Sequence, residues 1–220
     1  MRSMKRFAVA QLFVALAIMA STCRAQPEAP RYNFTLGGGV GFPQGSTSDF
    51  ANSGGNFVVG GGVNTGPAIG FDGEFMWHDL PPKTAVVAAT GAPDGAARLY
   101  AVTANVILHA PERAKLGGYG ILGGGWYHRS WELTHPSLAI GTTCLPTYVW
   151  WGVVCGNGIV ESTTKIAGNS RDGGGWNAGA GVTYRIGESH AKIYAEARFH
   201  YAYFSGINTR IIPLTFGFKF

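Results

Sequence analysis

Charge is what this chain has least of. Only 13% of its 220 residues are charged, about half the roughly 25% of an ordinary water-soluble domain, so it is short of the surface that solvates a globule. A strong excess of one sign is missing as well. The formal net charge is +5, but Arg2, Lys5, Arg6 and Arg24 lie in the first 25 residues, which hold no acid. Taking those four from the 17 basic residues leaves 13 against 12 acidic ones. A nearly neutral remainder without a basic cluster excludes a nucleic-acid footprint. Cysteine is scarce, at three residues, and His78, His109, His135, His190 and His200 are scattered without ligand spacing, which argues against a zinc centre. No GxxxxGK occurs, and none of the glycine triplets at 37–39, 60–62, 123–125 and 173–175 runs into a helical pattern, so a phosphate-cradling loop is excluded. Nor is there an apolar run able to span a bilayer as a helix, which takes about 20 residues.

What is present begins with a leader. Residues 1–6 carry positive charge, 7–20 are apolar apart from Gln11, and Cys23-Arg24-Ala25 puts small residues at the two positions that define cleavage. The pattern predicts a secretory signal peptide cleaved after Ala25, then a short tail at 26–32 and one domain at 33–220. Cys23 raises lipid attachment as a rival reading, against which Ala20-Ser21-Thr22 makes a poor lipobox. Export leads to an oxidising compartment and leaves only Cys144 and Cys155, which are expected to pair. The disulfide would add about 2 to 3 kcal/mol of local order.

The domain reads as strands throughout. In its last stretch Ile212, Leu214, Phe216, Phe218 and Phe220 fall on one face, with Pro213, Thr215, Gly217 and Lys219 on the other, which is period-two alternation. The clearest alternation covers 69–80, where Ile69, Phe71, Phe75 and Trp77 oppose Asp72, Glu74, Met76 and His78. Further strands are expected at 33–42, 56–64, 98–109, 116–133, 174–186 and 192–204, making eight. In the 116–133 strand the bulky Tyr119, Ile121, Tyr127, Trp131 and Leu133 are assigned to one outward face. The stretch 134–173 is expected to be the largest irregular region, and the connections otherwise alternate long and short.

These faces imply an inside and an outside. If the apolar faces meet hydrocarbon, Asp72, Glu74 and Glu196 share a narrow interior with Arg185, Arg198 and Lys219, three acids against three bases. Charges in a confined lumen must balance, because an unpaired one there costs several kcal/mol. Trp77, Tyr127, Trp131, Trp176, Tyr201 and Tyr203 sit near strand ends and suit interfacial girdles. Glycine in such a wall lets strands bend and coil.

The closing segments, Ile193-Tyr194-Ala195-Glu196-Ala197-Arg198-Phe199-His200 and then Thr209 through to Phe220, resemble the end of the small bacterial outer-membrane β-barrels of the OmpA-like, OmpX-like and OmpW-like kind. The resemblance implies an all-β, eight-stranded, up-and-down antiparallel transmembrane barrel in the outer membrane of a Gram-negative envelope. It implies that Phe216, Phe218 and Phe220 form the C-terminal assembly signal read by the outer-membrane assembly machinery, with membrane lipid and lipopolysaccharide as surroundings. No peptidoglycan-binding domain is expected after the barrel.

An eight-strand barrel is only wide enough for its side chains to fill, so the expected function is a structural or surface-interaction role carried by outer loops, not an enzyme, with no cofactor and an unidentified outer ligand. Tyr148, Trp150 and Trp151 are the candidate contact residues. The alternative is a narrow pore or hydrophobic-solute conduit of the OmpW-like kind. A third reading arises because His128, Ser130 and Glu132 resemble the His-x-Ser plus Glu set of lipid A deacylase barrels. The face assignment turns that trio inward, where it could not meet lipid.

Overall fold

The computed structural model describes residues 31–111, 115–146, 153–187, 189 and 191–220, with the backbone alone at 136–146 and 153–163. Its elements are β1 (Tyr32–Pro43), α1 (Ser46–Phe50), β2 (Gly54–Asn64), β3 (Ile69–Asp79), α2 (Thr84–Ala89), β4 (Asp94–His109), β5 (Leu116–Pro146), β6 (Val153–Arg185), β7 (Lys192–Ala202) and β8 (Thr209–Lys219). Every strand pairs antiparallel with its neighbours in sequence, and β1 closes on β8, giving a closed eight-strand barrel. The seam is tied at its foot by reciprocal backbone bonds between Phe34 and Phe220, at 3.0 and 2.9 Å. Closure satisfies the backbone groups of both would-be edges, which is the only way a sheet can sit in hydrocarbon.

The alternation in the sequence becomes a lipid-compatible exterior. Leu36, Val40, Phe42, Phe71, Phe75, Val102, Val106, Ile193, Leu214, Phe216 and Phe218 are exposed large hydrophobics, and each lies on the outward face read from period two. β2, β4 and β6 end on the side where β1 begins and β8 ends, while α1, α2 and the far ends of β5 and β6 stand at the other.

Two expectations are corrected here. Residues 134–146 and 153–173 are strand, not an irregular region: β5 and β6 run 31 and 33 residues and stay in register from Leu116↔Tyr184 to Pro146↔Val153, with one shift at Leu133/Thr134. Their Thr, Val and Ile residues favour extended backbone, but both faces of a two-strand ribbon meet solvent, so no alternation marks it. The second correction concerns the face of β5. Tyr119, Ile121 and Tyr127 are buried inside, at 5%, 3% and 0% exposure, and the outward residues are Leu122 and Trp126. Register partners share a face, and Tyr119 pairs with His109 and Ala101 with Tyr127. Glycine at 117, 118, 120 and 123–125 removes the alternation that would have shown this. Tyr127 accordingly leaves the expected girdle.

Candidate functional site

Three places concentrate polar or aromatic chemistry. The first is the lumen. Arg198 on β7 reaches across to Glu74 on β3, four strands away around the wall; its two terminal nitrogens both bond that carboxylate, the second at 3.2 Å. Its Nε donates to Glu196 Oε1 at 2.8 Å. Tyr119 Oη donates to Glu196 Oε2 at 2.7 Å, Asn105 Nδ2 to Glu74 Oε2 at 2.9 Å, and Asn177 Nδ2 to Asn105 Oδ1 at 3.0 Å. Side chains from β3, β4, β5, β6 and β7 are thus joined across the barrel axis. Lys219 lies nearer the termini, its Nζ 4.0 Å from the Tyr119 ring centroid and 5.0 Å from that of Tyr194, a cation–π seat that replaces lost water.

Of the six residues expected to form this network, the structure brings together Glu74, Glu196 and Arg198, with Asp72 and Lys219 beside them. Asp72 is 4% exposed, yet neither carboxylate oxygen takes a hydrogen bond. Arg185 is not at this level. It is half-buried at the end of β6 opposite Lys192, four residues from Gly181, the register partner of Glu196, or about 13 Å along the strand. The cluster therefore holds three carboxylates against two cations. Tyr119 escapes a reading of the sequence because glycine around it hides its inward parity, whereas alternation in β4, β6 and β7 already puts Asn105, Asn177 and Tyr194 on the inward side. Glycine has a further use here: a Cβ at Gly41 would overlap the His78 imidazole, and one at Gly181 would overlap the Tyr119 ring.

Above the charges, away from the termini, the lumen turns apolar. Met76, Leu80, Leu99, Ala101, Tyr127, Ala202, Phe204 and Ile211 form one buried cluster, with Ala51 from the β1–β2 connection and Val58. Tyr127 Oη bonds His200 Nδ1 at 2.9 Å beneath it. The brace and this stopper join side chains across the interior, an arrangement that stiffens the wall.

The second place is a belt on the outside. Phe75 and Tyr100 are 6.5 Å apart, Tyr100 and His128 6.0 Å, Trp126 and His128 5.6 Å, and Trp176 and Tyr201 6.1 Å. With Trp77 beside Tyr100 in register, they ring the barrel below the long hairpin, where an interfacial girdle belongs. His128, Ser130 and Glu132 share this outward side of β5, which corrects the inward assignment. Their contacts are not those of a triad: His128 Nδ1 lies 2.8 Å from Asp172 Oδ1, and Glu132 is 3.6 Å from Arg98 and 3.3 Å from Lys165.

The third place is the β5–β6 ribbon. Pairing of β4 with β5 ends at Asp94↔Thr134, and pairing of β6 with β7 ends at Gly175↔Ala202. Beyond these points the two strands pair only with each other among the described residues, while the β7–β8 connection touches β6 through Tyr203 N to Gly174 O at 2.8 Å and Arg171 Nη1 to Ser205 Oγ at 2.9 Å. From His128 to Pro146 the ribbon climbs about 60 Å above the belt. Cys144 and Cys155 are register partners on it. Tyr148, Trp150 and Trp151, like the leader, lie outside the described residues.

A closed antiparallel barrel with a greasy exterior, an aromatic belt and a braced polar lumen is a membrane-spanning β-barrel. The chain belongs to the outer membrane protein beta-barrel domain family, which it matches over residues 13–220. No curated protein matches it. Among solved structures it is similar to Neisserial surface protein A (14% identity, 86% of this chain and 96% of that one, TM-score 0.54). It is similar to a major outer membrane protein from Thermus thermophilus (10% identity, 87% and 99%, TM-score 0.54). A third is Ail, the attachment invasion locus protein of Yersinia pestis (14% identity, 89% and 100%, TM-score 0.49). At these identities the likeness is one of fold.

Proposed function

We propose that this is a non-enzymatic outer-membrane barrel whose working part is the β5–β6 ribbon, a surface-interaction element held rigidly clear of the membrane. The observation that carries the reading is the mismatch of lengths: β5 and β6 run 31 and 33 residues where β1, β2, β3, β7 and β8 run 11 or 12. Eleven residues already suffice to cross the hydrocarbon. The cross-lumen brace supports a plugged barrel over the conduit alternative. In this reading the leader is removed after Ala25, the Phe216, Phe218 and Phe220 comb is read by the assembly machinery, and the exterior is seated in lipid and lipopolysaccharide.

The test replaces residues 136–163 with an Asn-Gly turn, which suits a two-residue hairpin. The shortened barrel should keep its heat-dependent gel mobility and stay silent in planar bilayers, as the full chain should. Cells displaying the full chain should attach to surfaces or to one another, and cells displaying the shortened one should not; equal attachment by both removes the reading. The outward placement of Ser130 beside His128 is the observation that favours a second reading, lipid acyl hydrolysis. Acyl release from lipid A that disappears in Ser130→Ala would establish it, and none is expected from either protein.

A further inference from the structure

At the rim away from the termini, just above the stopper, two arginines are set opposite each other. Arg129 on β5 has Leu99 as its register partner on β4 and Arg171 as its partner on β6. Register partners share a face, and Leu99, 1% exposed, belongs to the apolar cluster of the lumen. Both arginines are therefore on the side of the barrel axis. Like charges placed opposite each other on neighbouring strands destabilise a sheet, so the pair calls for something that repays it.

Among the described residues no carboxylate does. The two acids nearest in sequence, Glu132 and Asp172, are on the other face. Asp172 Oδ1 lies 2.8 Å from His128 Nδ1, and Glu132 meets Arg98 at 3.6 Å and Lys165 at 3.3 Å. The outward face of the rim thus has its charges matched, while the axial face carries cations alone.

What the arginines do bond is the β7–β8 connection, through neutral oxygens. Arg129 Nη1 donates to Ile207 O and Thr209 Oγ1, both at 3.0 Å, and Arg171 Nη1 donates to Ser205 O and to Ser205 Oγ, the latter at 2.9 Å. Gly206 stands between those two carbonyls with φ 104°, backbone that glycine adopts at no steric cost. Carbonyl and hydroxyl acceptors fix an arginine in place without cancelling its charge. One nitrogen of each guanidinium is used in this way; among the described residues Nε and Nη2 of both donate to nothing, which leaves the rest of each fork for a ligand. The Phe204 ring of the stopper lies 4.6 Å from the Arg129 guanidinium, and an apolar floor of this kind strengthens the field of the charges above it.

We propose that Arg129 and Arg171 form a binding site for a phosphate monoester at the outer mouth of the barrel. Such a group carries close to two negative charges at neutral pH, the match for two fixed guanidiniums, and their planar forks bond phosphate oxygens in pairs. A carboxylate or a sulfate ester brings a single charge and leaves the second arginine unmatched. The pair faces the axis above the stopper and not the hydrocarbon, so the phosphate comes from the aqueous side and not from a lipid of the same bilayer. The site is independent of the attachment reading, since both arginines remain when residues 136–163 are removed.

The test uses the full chain in phosphatidylcholine nanodiscs, treated with phenylglyoxal, which modifies arginine, and read by peptide mass spectrometry. Methyl phosphate at about ten times its half-saturating concentration should slow modification of Arg129 and Arg171 about tenfold and leave Arg31, which precedes β1 at the opposite end, unchanged. Acetate at the same concentration should protect neither. Nanodiscs doped with phosphatidic acid should give no protection by themselves. Arg129→Gln and Arg171→Gln each keep an amide donor for the connection and should weaken methyl phosphate binding, followed by phosphorus NMR in maltoside micelles, by at least about tenfold. Protease resistance at 203–208 reports whether the connection is still seated, and the protection of the wild-type chain decides the matter even where a variant loosens it. Either arginine left unprotected by methyl phosphate, acetate protecting as well as methyl phosphate, binding unchanged in both variants, or protection supplied by phosphatidic acid alone overturns the inference.

Discussion

The lower and upper halves of β5 and β6 are the same two strands in two environments. Below Thr134 β5 has β4 on one side and β6 on the other; above it, among the described residues, β5 pairs with β6 alone. In the barrel every residue's outward or inward aim matters, because one side is hydrocarbon and the other a crowded lumen. On the ribbon the two faces are equivalent, so composition is released from alternation and the edges become the distinguishing surface. The contrast teaches that one strand pair can be held below by neighbours on both sides and above by its own pairing.

The largest effect that separates the halves should come from Arg198→Ala. It leaves Glu74 and Glu196 buried without their cation, and breaking a buried pair in this way costs about 3 to 5 kcal/mol. Urea unfolding followed by gel mobility should show the barrel weakened by that order, while limited proteolysis of the ribbon is unchanged. Changing Glu74→Gln, Arg198→Met and Glu196→Gln together should recover most of the loss, since removing all the charges removes the need for the brace. A triple variant as weak as the single one would mean that the arginine's bulk, not its charge, spans the lumen.

How legible the fold is in the sequence depends on the same contrast. β3 can be read residue by residue, because Phe71, Phe75, Asp72 and Glu74 alternate without interruption and the two sides differ in solvent. The closing strand is legible for the same reason, including inward Lys219 and outward Phe216 and Phe218. β5 misleads where glycine erases the pattern, and Tyr119 looks like a lipid-facing aromatic although its hydroxyl serves Glu196. A tyrosine's ring and its hydroxyl point to opposite solvents, and only the register with His109 decides between them. Arg185 groups with the lumen charges on parity alone; parity gives the face and says nothing of the height. The ribbon is hidden because its residues obey no amphipathic rule.

Asp72→Asn should move the barrel in the opposite direction by less. The aspartate is buried beside Glu74 without a hydrogen-bond donor of its own, so exchanging it for an amide balances two carboxylates against Arg198 and Lys219. A gain of about 1 kcal/mol is expected, the order of one buried polar mismatch relieved, read as a later midpoint in the same urea series. A loss instead would show that Lys219 is held in the interior by that carboxylate and not by the rings of Tyr119 and Tyr194.

The smallest effect on the barrel should come from the cysteines, and its smallness is the point. Cys144 and Cys155 face each other in register across the ribbon, and opposed strand residues sit about 4.5 to 5.5 Å apart at Cα, within the span a disulfide needs. The pair should resist alkylation until reductant is added. Once Cys144→Ser and Cys155→Ser are introduced, the ribbon should be cut by protease at lower concentrations while the urea midpoint of the barrel stays put. A staple at that height restricts only chain that has already left the wall, so a shift in the barrel's own midpoint would mean that the two halves fold as one unit.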